Sequence, residues 1–160
     1  MAKLKLDEVD HNILDMLIDN SRTAFTDIAK KLNISAGTVH VRVKKMEQAK
    51  IITDYSLSVD YKKLGYSFIA YVGVFLLKTS QTQFVMACIN KIPFVTVAHV
   101  TTGKFNIFCK VRAKDTGHAK EIIYQIDDIE GVTRTETMIS LEECINDKRR
   151  LMHTVFKELS

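Results

Sequence analysis

Apolar and polar positions follow two regimes along the chain, and the period changes near residue 67. Up to residue 50 the apolar residues recur at helical spacing. Val9, Ile13, Met16 and Leu17 make an inward stripe over 8–20, preceded by Asp7, and acids near the start suit the helix dipole. A second helix is predicted over 24–32 and a third over 36–49. In the third, Val39, Val43 and Met46 hold the i, i+4, i+7 spacing of a buried face. Neither of the first two helices can hide its apolar face alone, so the three must pack as a bundle. Ile51–Thr53 reads as a short strand, and 54–66 (DYSLSVDYKKLGY) as an extended connector.

From Ser67 the alternation is that of strands. SFIAYVGVFLL is rich in β-branched and aromatic residues and reads as a buried strand. Residues 82–92 place Phe84, Val85, Cys88, Ile89 and Ile92 on one helical face, and Pro93 stops that helix. Phe94–Val100 is a strand. Phe105–Ala113 is another, with Phe105, Ile107, Cys109, Val111 and Ala113 on one side. Thr101, Thr102, Gly103 and Lys104 join the two as a hairpin turn. Residues 116–128 return to helical spacing through Ala119, Ile122, Ile123 and Ile126, and Val132–Leu141 is a final strand. The order β-α-β-β-α-β predicts a ferredoxin-like sandwich with helices on one sheet face. The first strand is apolar on both sides, Tyr71, Gly73 and Phe75 against Ala70, Val72, Val74 and Leu76. The second face therefore predicts a covering sheet, most simply that of a second copy, with cover by the N-terminal unit as the alternative. The expectation is an α+β protein: a three-helix unit over 1–53, a linker over 54–66 and a ferredoxin-like βαββαβ domain over 67–160.

The junction of the second and third helices, TAFTDIAKKLNISAGTVHVRVKKM, adds a chemistry. Ala29 is small where two helices must approach. Asn33 tolerates the left-handed conformation that a tight turn demands, Ile34 can plug the corner, and Ser35 can cap the next helix. Opposite the buried stripe lie Gly37, Val41, Lys44, Lys45 and Gln48, flanked by Thr38, His40 and Arg42. A propped helix with a basic, hydrogen-bonding outer face suits the DNA major groove. Paired helices also occur in many bundles, where a cationic face is simply solvated. Charge segregation favours DNA: residues 22–50 carry seven bases against two acids, residues 1–21 two against five, while the whole chain is only +4.

Composition narrows the alternatives. With 160 residues, 46% hydrophobic and 26% charged, the chain is globular rather than disordered. No apolar run approaches about 18 residues, and MAKLKLDEVDHN lacks the apolar core of a secretory signal, so a cytoplasmic protein without a membrane span is expected. Cys88, Cys109 and Cys144 form no CxxC pair and read as small buried hydrophobes. No GxGxxG, P-loop, GxSxG or metal-ligand spacing occurs; the five histidines are scattered, and Asp127-Asp128 and Glu142-Glu143 are neighbours that face apart. Neither catalysis nor a cofactor is expected. A ligand-sensing subunit acting through protein contacts remains the alternative, though it has no need of a cationic helix.

With these residues in place, the chain resembles the Lrp/AsnC (feast/famine) transcription regulators, and within them the asparagine-responsive type. The resemblance rests on LDEVDHNILDMLIDNSRTAFTDIAKKLNIS, GTVHVRVKKMEQAKIIT, LGY at 64–66, TTGKFNIFCKV at 101–111 and GVTRTETMISL at 131–141. It implies an N-terminal winged helix-turn-helix that binds double-stranded DNA through Ser35, Gly37, Thr38, His40, Val41, Arg42 and Lys45, with Lys44 added from the charge pattern, joined to a C-terminal amino-acid-binding module. It further implies a homodimer assembling to an octamer, and an amino-acid effector at Thr101, Thr102, Gly103, Lys104, Phe105 and Asn106 with Thr135 and Thr137. A Gly-containing turn offers N–H groups to a carboxylate. Where family members carry Asp, Asn106 offers the ligand's amine a carbonyl without charge.

Overall fold

The computed structural model describes residues 5–147 and 150–159 and divides into two compact units, 1–57 with 145–160, and 58–144. In the first unit, α1 (Glu8–Asp19), α2 (Phe25–Leu32) and α3 (Ala36–Gln48) enclose Ile13, Leu14, Leu17, Ile28, Ala29, Val39, Val43 and Met46. The three predicted positions of the α3 stripe are all buried, and Ile34 packs on this cluster from the turn. Each such side chain, fully buried, is worth about 1.5–3 kcal/mol.

Helix ends are set by local chemistry. Asp7 opens α1 with a capping box: its Oδ1 accepts from the Asp10 N–H at 2.9 Å, and Asp10 Oδ2 accepts from the Asp7 N–H at 3.2 Å. α2 closes at Asn33, whose φ of 54° is left-handed; Asn33 N–H donates to Lys30 O and Ile34 N–H to Ala29 O. α3 closes in the same way on Lys50 (φ 59°), with Lys50 N–H on Glu47 O and Ile51 N–H on Met46 O. That closure overturns the strand expected at Ile51–Thr53. The N–H groups of Ile51 and Ile52 turn back onto α3, which leaves neither to pair with a neighbour.

A sixth helix, α6 (Arg150–Leu159), was not anticipated from the pattern; it meets α1. Residues 145–160 thus cluster with the first unit rather than with 67–144, and the 54–66 connector divides between the units at 57/58.

The second unit is an antiparallel sheet in the order β2-β3-β1-β4, formed by β1 (Phe68–Leu76), β2 (Val95–Val100), β3 (Ile107–Ala113) and β4 (Val132–Ile139). A short 3-10 turn leads into α4 (Thr82–Ile89), and α5 (Thr116–Asp127) links β3 to β4. The β-α-β-β-α-β order stands as read. Val72, Val74, Ile107, Cys109, Val111 and Ala113 meet Val85, Ile89, Ala119, Ile122 and Ile126 in one core, so both helices cover the same face. Tyr71, Gly73 and Phe75 lie on the other face of β1 beside Phe108, with which Tyr71 stacks at 5.8 Å.

Two expectations change here. β3 begins at Ile107, and Phe105 is not on its core side: the ring lies over Gly73 on the opposite face, against Phe75 and Phe108. Of the cysteines only Cys109 is buried, which pushes its thiol up to about 11; Cys88 is half-buried and Cys144 exposed.

Candidate nucleic-acid interface and effector loop

The outward face of α3 is built from its capping residue onward. Ser35 Oγ accepts from the Thr38 N–H at 3.0 Å and lies 2.8 Å from Thr38 Oγ1, so the cap hydroxyl and the first exposed hydroxyl are coupled. Gly37 is not demanded by packing within the chain, since an added Cβ would meet only Ser35 Oγ at an ordinary 3.7 Å. Thr38, Val41 and Lys45 follow at i, i+3, i+7, with Lys44 beside them, and all four are exposed. Val41, at 65% exposure, is an apolar side chain left in the open. His40 is exposed too, its ring 6.0 Å from that of Phe25 on α2.

Arg42 departs from the expectation. Its Nη1 donates to Asp7 Oδ1 at 2.9 Å, Asp7 Oδ2 at 2.8 Å and Asp10 Oδ1 at 2.7 Å, so the guanidinium is engaged with the start of α1. The Asp10 backbone N–H, followed by the Arg42 guanidinium, holds the Asp7 carboxyl below its usual range, and the two aspartates raise Arg42 further. Beyond α3, the Tyr55 hydroxyl donates to Glu47 Oε1 at 2.9 Å; burial and then this bond push the phenol up to about 12. Tyr55 stands in the extended connector, where no periodicity marks a partner for it.

The loop between β2 and β3 is braced at three points. Thr101 Oγ1 donates to Phe105 O at 2.7 Å, and Thr101 N–H to Asn106 O at 3.1 Å. Asn106 continues the sheet where the β1–β3 ladder ends: its N–H donates to Val74 O, and its Oδ1 accepts from the Leu76 N–H at 2.9 Å. That carbonyl already accepts one backbone N–H, which leaves it one further lone pair for the ligand amine expected there. Lys104 bonds Glu136 on β4, and Arg134 Nη1 reaches the same carboxylate at 3.0 Å while its guanidinium sits 3.9 Å above the Phe75 ring. Lys104 first, and Arg134 after it, hold the Glu136 carboxyl below its usual range.

Gly103 turns the loop at φ 107°. Among the described residues, the N–H groups of Thr102, Gly103 and Lys104 have no backbone partner. Thr135 and Thr137 pair across from Val74 and Val72, which places them on the helix-bearing side, away from Glu136 opposite Gly73. One chain therefore does not bring these two hydroxyls and the Lys104–Glu136 pair to the same face.

Comparison with known proteins agrees with both halves. Residues 6–53 match the model for winged helix-turn-helix DNA-binding, and 69–150 the Lrp/AsnC ligand binding domain. The chain is 36% identical over 146 residues to the regulatory protein AsnC of Escherichia coli K12, covering 91% of this chain and 96% of that one. It is 33% identical to AsnC of Haemophilus influenzae over 141 residues, 88% of this chain and 94% of the relative. The solved structure of E. coli AsnC superposes with a TM-score of 0.86, covering 89% of this chain and 97% of that one at 35% identity. A Neisseria meningitidis regulator solved with L-methionine shares the fold at a TM-score of 0.84 and 20% identity, covering 90% and 95% of the two chains. These relatives are regulatory proteins, and no helix among the described residues is long and apolar enough to cross a membrane.

Proposed function

This chain belongs to the Lrp/AsnC family of DNA-binding transcriptional regulators, and we propose that it reads a specific duplex through α3 under the control of an amino-acid effector. The observation that carries the first part is the outer face of α3. Ser35, Gly37, Thr38, His40, Val41, Lys44 and Lys45 are exposed while Val39, Val43 and Met46 anchor the helix beneath them. The N-terminus of α3 offers N–H groups to a phosphate, and the lysines neutralise others. Val41 and the Thr38 methyl suit thymine methyls.

The effector reading rests on the ligand-binding family match and on the L-methionine held by relatives of the same fold. The loop Thr101–Asn106 is its candidate site, because the N–H groups of Thr102, Gly103 and Lys104 have no backbone partner among the described residues and can donate to an α-carboxylate. Two copies pair through the open sheet face, where Tyr71, Phe75, Phe105 and Phe108 expose a half-buried aromatic surface, and dimers assemble further to octamers. Such pairing sets two α3 helices against two half-sites.

Binding to operator and random duplexes at two salt concentrations, with and without a panel of amino acids, tests this reading. Affinity should fall steeply with salt, and one amino acid should shift both affinity and particle size. Salt-independent binding, or no response to any amino acid, overturns the corresponding half. Gly103→Val, which forces a β-branched residue to a left-handed φ, should abolish the effector response and leave DNA binding intact.

A further inference from the structure

Within the proposed DNA-reading role of α3, we infer that Arg42, gripped by Asp7 and Asp10, is a positioning residue that sets the angle of α3 rather than a group that contacts DNA. The grip ties the middle of the reading helix to the first turn of α1, 35 and 32 residues away in sequence. One nitrogen, Nη1, meets three carboxylate oxygens at 2.7–2.9 Å, which commits its two protons and fixes the plane in which Nη2 and Nε lie.

The carboxylates are themselves fixed. Asp7 Oδ1 caps α1 and Asp10 Oδ2 closes the capping box, so neither side chain can follow Arg42 away without opening the helix start. The Arg42 side chain is 29% exposed and that of Asp10 14%, while Asp7 on the open side is 54% exposed. The remaining side chains of the face, Thr38, Val41, Lys44 and Lys45, are exposed. The α1–α3 packing beneath is apolar and non-directional, and the charge-assisted contact adds a fixed direction to it.

The sign of a charge change separates positioning from contact. Removing a negative charge near a DNA-binding face ordinarily tightens binding. Asp10→Asn should instead weaken binding about tenfold, and Asp7→Asn, which keeps a good capping residue, should weaken it in the same direction. Arg42→Gln should weaken binding without changing the dependence of log K on log salt, whereas a lost phosphate contact lowers that slope by about one. Arg42→Lys, which retains a charge that reaches one carboxylate, should recover part of the affinity.

Duplex titrations of the full chain at several salt concentrations, with a thermal melt of each variant, read all of this. Tighter or unchanged binding in Asp10→Asn, a slope reduced by one in Arg42→Gln, or melting of these variants at the assay temperature overturns the inference. Lys45→Ala, run alongside, keeps the two claims apart. If it leaves binding unchanged, the reading of α3 fails; if it weakens binding while Asp10→Asn does not, only the positioning role fails.

Discussion

The two units place their candidate sites on opposite kinds of scaffold. α3 carries its outer face on one helix, held from beneath by Val39, Val43 and Met46 and from one side by Arg42. The β2–β3 loop reaches its form through distant partners: Lys104 on Glu136, Asn106 on Leu76, and Phe105 over Gly73. On the helix, Val41, Lys44 and Lys45 can each change without disturbing a neighbour, and only Ser35 and Thr38 are coupled through their hydroxyls. In the loop, three braces share one backbone, so a change at any of them moves the others.

The largest effect should come from Lys44→Ala with Lys45→Ala. Neither lysine is in the core, so melting should be unchanged, while affinity for duplex DNA falls about a hundredfold at low salt and the salt slope drops by about two. Unchanged binding would break the comparison on the helix side. On the sheet side, Gly73→Ala places a Cβ 2.3 Å from the Phe105 ring. Overpacking of this kind costs about 1–3 kcal/mol. It should lower the melting temperature and blunt the effector response together, since Phe105 belongs to the loop. A variant that loses stability yet responds normally to amino acids would show that the loop is not braced through this ring.

Gly37→Ala sharpens the contrast. The glycine is not needed inside the chain, where the new methyl meets only Ser35 Oγ at 3.7 Å. Relief of the helix penalty should therefore raise stability by about 0.5–1 kcal/mol. If α3 lies with its backbone close to DNA, the same methyl should weaken binding several-fold. A thermal melt and a duplex titration on one sample check both signs. Tighter binding with the raised stability would remove Gly37 from the interface.

These scaffolds also explain what could be read from the chain. The stripe of α3, the left-handed Asn33 and the Ser35 cap are short-range features, coded within a turn or two, and each stands as expected. The βαββαβ order followed from period alone. Phe105 was misplaced because alternation was carried back two residues past the start of β3, into a loop whose course is set by Gly73 across the sheet. Helical spacing places Arg42 on the outer flank of α3; its partners Asp10 and Asp7 lie 32 and 35 residues upstream, beyond any local pattern. A similar distance hides the bond of Asn106 to the Leu76 N–H. Helix α6 follows β4 in the chain but belongs with the first unit, so the change of period at residue 67 gives no sign of it.

The smallest predicted effect compares one carboxyl from each unit. Asp7 and Glu136 are both held below their ordinary values of 3.8 and 4.5, so each favours the fold in its charged form. That contribution is complete above the ordinary value and drains away as pH falls through the lowered one. The causes differ. For Asp7 the leading one is the hydrogen bond from the Asp10 backbone N–H, a contact that salt does not screen. For Glu136 it is the Lys104 side chain on an exposed surface, and salt weakens such pairs. Carboxyl NMR titrations at about 0.05 M and 1 M salt should therefore leave most of the Asp7 shift in place while the Glu136 value returns towards normal. If both shifts collapse together, Asp7 is held by Arg42 alone, and the capping box adds nothing to the grip on α3.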